Sequence, residues 1–154
     1  MNKVMRGLLA ALALGGLFVS TRALQVHNMD PGAAPPCAVN EHWDCGAVNH
    51  SRFAVFPPRT FDEDPNSKTV HVPIAAIGMA GYALMFLLAL LGRWWALLQV
   101  AEIGFGAACL LSYLEAFVLE KWCIYCVWSQ AIVTAILLAT VAALVLRRRA
   151  RVEA

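Results

Sequence analysis

The sequence Trp122-Cys123-Ile124-Tyr125-Cys126 lies where a polar turn gives way to a long apolar run. The run continues to Leu146 and ends in consecutive arginines, so it is long enough to cross a bilayer as a helix. Cysteines three positions apart lie on one face of a helix, and we predict that both fall in its first turn. The partial positive charge of a helix N-terminus favours thiolate over thiol. The stretch therefore predicts a membrane-spanning helix that begins with reactive thiols at the boundary between water and lipid.

The composition is that of a membrane protein. Of the 154 residues, 60% are hydrophobic and 14% are charged, and the mean hydropathy is +0.64. A soluble domain averages about 25% charged residues, so most of this chain is too apolar to face water. The sequence shows no phosphate-binding glycine loop, no nucleic-acid-binding pattern and no internal repeat. We predict a single domain over residues 1–154, in contact with the lipid bilayer and not with nucleic acid.

Four apolar segments predict four membrane spans, at about 7–26, 73–91, 95–118 and 123–146. The fold class expected is therefore an all-α integral membrane protein, a bundle of four transmembrane helices. A long polar loop, 27–72, separates the first two spans. The first segment leaves two interpretations open, because its length and basic start suit either a retained span or a cleaved signal peptide.

The distribution of positive charge predicts how the bundle is oriented. Four spans place both termini on one side of the membrane, and Arg93, in the turn between the second and third spans, falls on that side too. An excess of Lys and Arg marks the cytoplasmic side of a membrane protein. We therefore expect both termini in the cytoplasm, the inner membrane as the location, and the long loop on the outer face. The basic residues of the cytoplasmic side are Lys3, Arg6, Arg93, Arg147, Arg148, Arg149 and Arg151.

This topology brings four of the five cysteines to one membrane face, because Cys37 and Cys45 lie in the outer loop. The loop pair alone predicts a static structural disulfide. With Cys123 and Cys126 on the same face, a second interpretation is a relay, in which a thiolate of one pair attacks the disulfide of the other. A zinc site that includes His42 or His50 is a third, weaker alternative, and we expect no metal. Cys109, within the third span, is expected to behave as a small buried apolar residue.

The chain resembles the vitamin K epoxide reductase family, and particularly its bacterial members. The residues that carry the resemblance are Cys37 and Cys45, Val48-Asn49-His50-Ser51-Arg52-Phe53, Val72-Pro73-Ile74-Ala75-Ala76-Ile77-Gly78, and Cys123-Ile124-Tyr125-Cys126-Val127-Trp128-Ser129-Gln130. The resemblance extends from the first span to the last. It implies that the first segment is retained, that the four helices surround a quinone, and that the outer loop carries a short interfacial helix near Ser51.

The resemblance also implies a role for each cysteine. Cys126 would face the quinone, Cys123 would exchange with Cys45, and Cys37 would exchange with an external thiol protein. The expected activity is that of a quinone-dependent thiol oxidase, with menaquinone or ubiquinone as electron acceptor. Reduction of vitamin K epoxide is the nearest alternative reaction. A non-enzymatic membrane protein with one structural disulfide is the alternative from another class.

Two departures from the family pattern add expectations. Many bacterial relatives carry a fused thioredoxin-like domain, whereas this chain ends soon after its last span. The expected thiol partner is therefore a separate DsbA-like or thioredoxin-like protein. The segment 57–69 is longer than the usual connection to the second span, and a docking surface is one hypothesis for it.

A few polar and aromatic residues in the spans are further candidates. Gln130, on the helical face of both cysteines, can hydrogen-bond a quinone carbonyl or another helix. Tyr125 can stack on the quinone or belong to an interfacial aromatic belt. Glu115 lies near the outer end of its span, where we expect it to reach water, and it is also a candidate for a proton route. Glu102 is expected to be a neutral packing residue or to bond Gln99.

Overall fold

The computed structural model describes residues 3–33, 35, 37–62 and 68–152. Four of its helices are long and apolar enough to cross a membrane: Lys3–His27, Ile74–Leu91, Trp94–Leu119 and Ile124–Arg149. The described chain is helical apart from turns, loops and a two-stranded sheet, so the predicted all-α, four-helix membrane architecture is confirmed. Each predicted span lies within about one turn of its observed helix.

In chain order the elements are α1 (Lys3–His27), α2 (Cys45–Asn49), β1 (Val55–Phe56), β2 (Val72–Pro73), α3 (Ile74–Leu91), α4 (Trp94–Leu114) and α5 (Ile124–Val152). A π-helical turn, Glu115–Leu119, extends α4. Helix α1 packs against α3 and α5, and α5 also packs against α4. The contact between α3 and α4 is less extensive, which matters for the cavity described below.

The helices bury a narrow apolar seam and expose the rest of their apolar surface. Leu97 and Ile136 are fully buried where the helices meet, whereas Phe18, Leu87 and Ile103 are more than half exposed on the outside of the bundle. A soluble protein rarely exposes so much contiguous apolar surface. These outer faces are therefore the surfaces that contact lipid.

The turn between α3 and α4 lies at the same end of the bundle as the start of α1. Gly92 closes α3 in the left-handed conformation (φ 68°), and its N–H donates to the carbonyl of Ala89 at 3.2 Å. A residue without a Cβ adopts this conformation without steric cost. At the same end of the bundle, the Arg6 guanidinium donates to the carbonyl of Leu90. The basic start of α1 and the α3–α4 turn therefore lie together, as the topology predicted.

The outer loop contains the expected short helix, and it ends two residues before Ser51. Helix α2 begins at Cys45 and ends at Asn49, with Asp44 as its N-cap, so Ser51 lies in the turn that follows it. The Asp44 carboxylate accepts from the Ala47 N–H at 3.0 Å, which satisfies a free donor of the first turn. Strands β1 and β2 then pair antiparallel and close the base of the long connection. Residues 63–67 of the segment 57–69 lie outside the described residues.

The junction between α4 and α5 places the second cysteine pair. The π-helical turn ends at Glu120 in the left-handed conformation (φ 53°), which reverses the chain. Helix α5 begins at Ile124, one residue later than predicted, so Cys123 precedes it and only Cys126 lies in its first turn. The Cys123 carbonyl accepts the first bond of the helix, from the Val127 N–H at 3.1 Å. Both cysteines still lie at the positive end of the helix.

Candidate functional site

The two cysteine pairs meet in one buried cluster. Cys37 and Cys45 form a disulfide, whereas Cys123 and Cys126 are free thiols. Cys45 and Cys123 are both completely inaccessible to solvent, and together with Cys37 they pack around Val26 and Val48. Cys45 and Cys123 are 78 positions apart in the chain, and the fold brings them into one apolar cluster. The structure joins the loop to the start of α5, as the relay interpretation requires.

Main-chain hydrogen bonds hold the loop in this position. The Trp122 N–H donates to the His42 carbonyl at 2.7 Å, and the Asp44 N–H donates to the Trp122 carbonyl at 3.0 Å. These bonds form a parallel bridge between Trp43 and Trp122, whose rings lie 6.4 Å apart. Trp122, which takes part in both bonds, immediately precedes Cys123, and Asp44 immediately precedes Cys45. The two sulfurs are therefore positioned by backbone geometry and not by side-chain packing alone.

Asn49 links the two pairs directly, and its role was not predicted from the sequence. Its side-chain N–H₂ group donates to the Cys45 carbonyl at 2.8 Å and to the Cys123 sulfur at 3.5 Å. The side chain is 7% exposed, and its backbone carbonyl accepts from the His27 ring at 2.6 Å. The available signal was its spacing, because a residue four after Cys45 lies one helical turn away on the same face.

Glu115 is buried at the same junction, contrary to the expectation that it reaches water. Its side chain is 2% exposed, and Oε2 accepts from the Cys123 N–H at 3.0 Å. The other oxygen, Oε1, is buried without a hydrogen-bond partner among the described residues. Glu115 is the first residue of the π-helical turn, and the reversal after this turn brings Cys123 back over the carboxyl group. This long-range arrangement cannot be inferred from the position of Glu115 near the end of a span.

The electrostatics of the pair distinguish its two sulfurs. A hydrogen bond from the Cys126 thiol lowers the pKa of Cys123, which lies just before the membrane-spanning part of α5, and this effect outweighs the opposing effect of burial. Cys123 is therefore the thiol that is more readily ionised. A thiolate is the nucleophile in disulfide exchange, so Cys123 is the sulfur suited to react with the loop.

A cavity of about 460 Å³ extends from the cysteine cluster into the bundle. Its wall is mainly apolar, with a few polar residues: Ser20, Asn49, Ser51, Tyr82, Glu115, Tyr125 and Ser129. Cys126 also lines it, whereas Cys123 is covered. Cavities of about 300–1,000 Å³ with an apolar wall and few polar groups are typical small-molecule sites. The residues present fit a flat, apolar ring that carries hydrogen-bond acceptors, as a quinone does.

The cavity also reaches the surface that contacts lipid. Ile77 of α3 and Ile103 and Leu110 of α4 line it, and their exposed fractions are 45%, 75% and 60%. Such residues contribute both to the cavity and to the outside of the bundle. The gap therefore lies between α3 and α4, the neighbouring helices with the less extensive contact. A molecule dissolved in the bilayer could enter there without crossing the aqueous phase.

The other predicted site residues have mixed positions. Ser51 and Tyr125 line the cavity, as a quinone site would require. Gln130 is not among the described residues of its wall; the Ser112 hydroxyl donates to its side-chain oxygen, and its amide nitrogen lies 3.9 Å from the Cys109 sulfur. The structure thus supports the interhelical alternative for Gln130.

Cys109 and Glu102 differ from their expectations. Cys109 is only partly buried, next to the amide of Gln130, and Glu102 is exposed on the outer face of α4 instead of packed inside. A hydroxyl pair that was not predicted from the sequence lies deeper in the cavity. The Tyr82 hydroxyl donates to the Ser129 carbonyl at 2.7 Å and lies 2.9 Å from the Ser129 hydroxyl. Among the described residues, no group of three or more His, Cys, Asp or Glu side chains is arranged to hold a metal ion.

The fold and the site define a class: a multi-pass membrane protein whose two cysteine pairs lie together above a cavity open to lipid. The sequence profile of the Vitamin K epoxide reductase family matches residues 7–141 of the 154. The chain therefore belongs to this family, whose members are oxidoreductases that use quinones as electron carriers. No curated protein sequence matches the chain.

Proposed function

We propose that this protein is a quinone-dependent thiol oxidase that supplies disulfide bonds to a separate thioredoxin-fold protein, DsbA-like or thioredoxin-like. The observation that carries the proposal is the junction of Cys45, Asn49 and Cys123. A purely structural disulfide in the loop would have no need of a buried contact with a free cysteine pair. Here one amide group contacts the backbone of one pair and a sulfur of the other.

Electrons enter through Cys37. This residue lines an open depression of about 340 Å³ on the outer face, with Val39, Trp43, Ile124 and Tyr125. The exposed fraction of Val39 is 76%, so the depression has an apolar rim that a partner can cover. A thiolate of the partner attacks the Cys37 sulfur, and the second thiol of the partner then closes its own disulfide. Cys37 and Cys45 are left reduced.

The loop pair then reduces the helix pair. The Cys45 thiolate attacks Cys123 in the Cys123–Cys126 disulfide, and Cys126 leaves as the thiolate. Cys37 next attacks Cys45, which restores the loop disulfide and frees Cys123. After this exchange Cys37 is again bonded to Cys45, and Cys123 and Cys126 are both reduced. The Asn49 amide and the Cys126 thiol both donate to Cys123, and these bonds favour its departure as a thiolate.

The cavity residues would hold the electron acceptor. A quinone bound there would supply an acceptor for two electrons and two protons. Cys126 would place a sulfur next to the ring, Tyr125 and the apolar wall would contact its faces, and Ser51 would offer a hydroxyl to a ring oxygen. The apolar wall excludes water from the reduced sulfurs. Menaquinone and ubiquinone both present the quinone ring that this site requires.

The orientation follows from the charges. The basic end of the bundle, with Arg6 and Arg93, lies in the cytoplasm, and the cysteines face the periplasm or exterior. The protein then acts in an inner membrane as a single domain over residues 1–154. This placement puts Cys37 in an oxidising compartment, where thioredoxin-fold oxidants require reoxidation.

The decisive experiment is quinone reduction by the purified protein, with a reduced thioredoxin-fold protein as the electron donor. We expect one quinol for each disulfide formed in the donor, and no quinol with Cys126→Ala. The proposal fails if the folded protein, with its loop disulfide intact, reduces neither ubiquinone nor menaquinone analogues. That result would favour a structural disulfide.

A further inference from the structure

Glu115 differs from the other acidic residues of the spans. Glu102 is on the outer face of the same helix, whereas Glu115 is enclosed between the π-helical turn and the start of α5. One of its oxygens accepts from the Cys123 N–H, and the other has no hydrogen-bond partner among the described residues. A buried polar atom without a partner is destabilising, so its retention calls for an explanation.

The groups around the unpaired oxygen of Glu115 suggest why it is retained. Glu115 lines the same cavity as Cys126, and the ionisable groups that face it are the thiols of Cys123 and Cys126. The other titratable groups on the cavity wall are Tyr82 of α3 and Tyr125 of α5. Water does not reach the carboxyl group. Protons that leave or enter the sulfurs can therefore be exchanged with Glu115 instead of with bulk solvent.

We infer that Glu115 is a catalytic residue that carries a proton between the cysteine pair and the quinone. The inference rests on the proposed function and deepens it, because quinone reduction consumes two protons and the reduced pair holds only one when Cys123 is a thiolate. The Cys126 thiol provides one proton, and the Glu115 carboxyl provides the other. Both groups line the cavity that the quinone ring would occupy.

The two half-reactions balance. In the first, the Cys123–Cys126 bond forms, two electrons pass from the sulfurs to the quinone, and the protons of Cys126 and Glu115 pass to its two oxygens; Glu115 becomes a carboxylate. In the second, the loop dithiol reduces the Cys123–Cys126 bond. Of its two protons, one remains on Cys126 and the other returns to Glu115, while Cys123 is left as the thiolate. The net charge of the site is the same before and after each step.

The test is Glu115→Gln, with Glu102→Gln as the matched control on the same helix. Glutamine keeps an oxygen for the Cys123 N–H but carries no transferable acid proton. We expect Glu115→Gln to reduce quinone about 100-fold or more slowly with dithiothreitol as donor, a typical loss for a general acid. Dithiothreitol should still reduce both cysteine pairs completely in the absence of quinone, because thiol–disulfide exchange breaks and forms only sulfur–sulfur bonds. Glu102→Gln should behave as wild type in both assays.

A second readout does not depend on quinone. Infrared difference spectra between the oxidised and the dithiothreitol-reduced protein, with quinone removed, should show a carboxylic acid band on reduction. The band should be lost in Glu115→Gln, kept in Glu102→Gln and shifted in Glu115→Asp. A band that is unchanged in Glu115→Gln would overturn the inference, as would wild-type quinone reduction by that variant. If instead the wild-type protein shows the band but reduces no quinone, the proposed function fails and the proton exchange of Glu115 stands.

Discussion

At the scale of single residues, the reactivity of Cys123 is set by groups from three parts of the chain. Asn49 of the loop donates to its sulfur, Glu115 accepts from its N–H, and Cys126 donates a hydrogen bond that lowers its pKa. None of these groups contacts solvent freely, so each interaction is stronger than it would be in water. Cys123 is therefore the cysteine of this pair with the lowered pKa, and Asn49 of the loop contacts its sulfur directly.

Asn49→Ala should slow thiol exchange between the loop pair and the helix pair by about 10- to 100-fold, since a hydrogen bond to a charged group contributes about 1.5–3 kcal/mol. The rate is measured by rapid acid quench, alkylation and mass analysis of the four cysteines after dithiothreitol is added to the oxidised protein. Asn28→Ala, which changes an exposed asparagine at the end of α1, is the control. Equal rates for the two variants would remove Asn49 from the exchange.

At the scale of elements, the outer loop forms one side of the site, and the gap between α3 and α4 forms the other. The outer loop presents Cys37 to an open depression, and the main-chain bridge at Trp43 and Trp122 keeps its partner Cys45 against Cys123. Helices α3 and α4 are separated enough to leave a cavity between them. One face of the site thus opens at the depression beside Cys37, and the other opens to the apolar outer surface of the bundle.

Cys37→Ala should abolish turnover with a protein donor but spare quinone reduction by dithiothreitol. A small dithiol can reduce the helix pair without the loop disulfide, whereas a folded protein has access only to the outer depression. The two donors are compared in one quinone-reduction assay, with Cys109→Ala as a cysteine control outside the cluster. If both donors lose activity to the same extent, Cys37 is not the separate entry point.

Gly81→Leu should block the quinone site from the α3 side. A side chain at Gly81 meets no atom within 4 Å, and the residue lines the cavity, so leucine would fill space that the ring requires. We expect the KM for quinone to rise at least 10-fold while thiol exchange without quinone is unchanged. Gly106→Leu adds the same side chain at another open glycine that is not among the described cavity residues. Equal effects of the two substitutions would place the quinone elsewhere.

At the scale of the whole molecule, the basic residues and the clustered cysteines lie at opposite ends of the bundle. The start of α1 and the α3–α4 turn meet at one end, where Arg6 contacts Leu90, and all four clustered cysteines lie at the other. Two spans separate the loop pair from the helix pair in the chain, and this even number places both pairs on the same side of the membrane. The arrangement allows a protein donor and a lipid-soluble acceptor to use a single site.

The orientation is tested with a thiol reagent that does not cross membranes. Applied to intact cells after mild reduction, it should label Cys37 and not a cysteine introduced at Arg93. In inverted membrane vesicles, the cysteine at position 93 should react and Cys37 should not. Labelling of Cys37 only in inverted vesicles would reverse the proposed topology and exclude a periplasmic or exterior partner.

The sequence by itself determined the four spans, the shared face of the four cysteines and the family. These properties depend on apolar length, on the placement of Lys and Arg, and on short motifs, all of which are local. Residues such as Gly92 and Asp44 also act through their own conformation or their nearest neighbours. The four predicted spans were confirmed because a long apolar helix in lipid has few alternative structures.

Only the tertiary structure decided what surrounds the sulfurs. Asn49 and Cys123 are far apart in the chain, and their contact depends on the bridge between Trp43 and Trp122. The burial of Glu115 depends on a π-helical turn and on the left-handed Glu120, neither of which has a reliable sequence signature. Gln130 bonds Ser112 instead of lining the cavity, because its orientation is set by the packing of α4 on α5. The positions of side chains between elements are cooperative properties of packing, and the periodicity of one helix does not contain them.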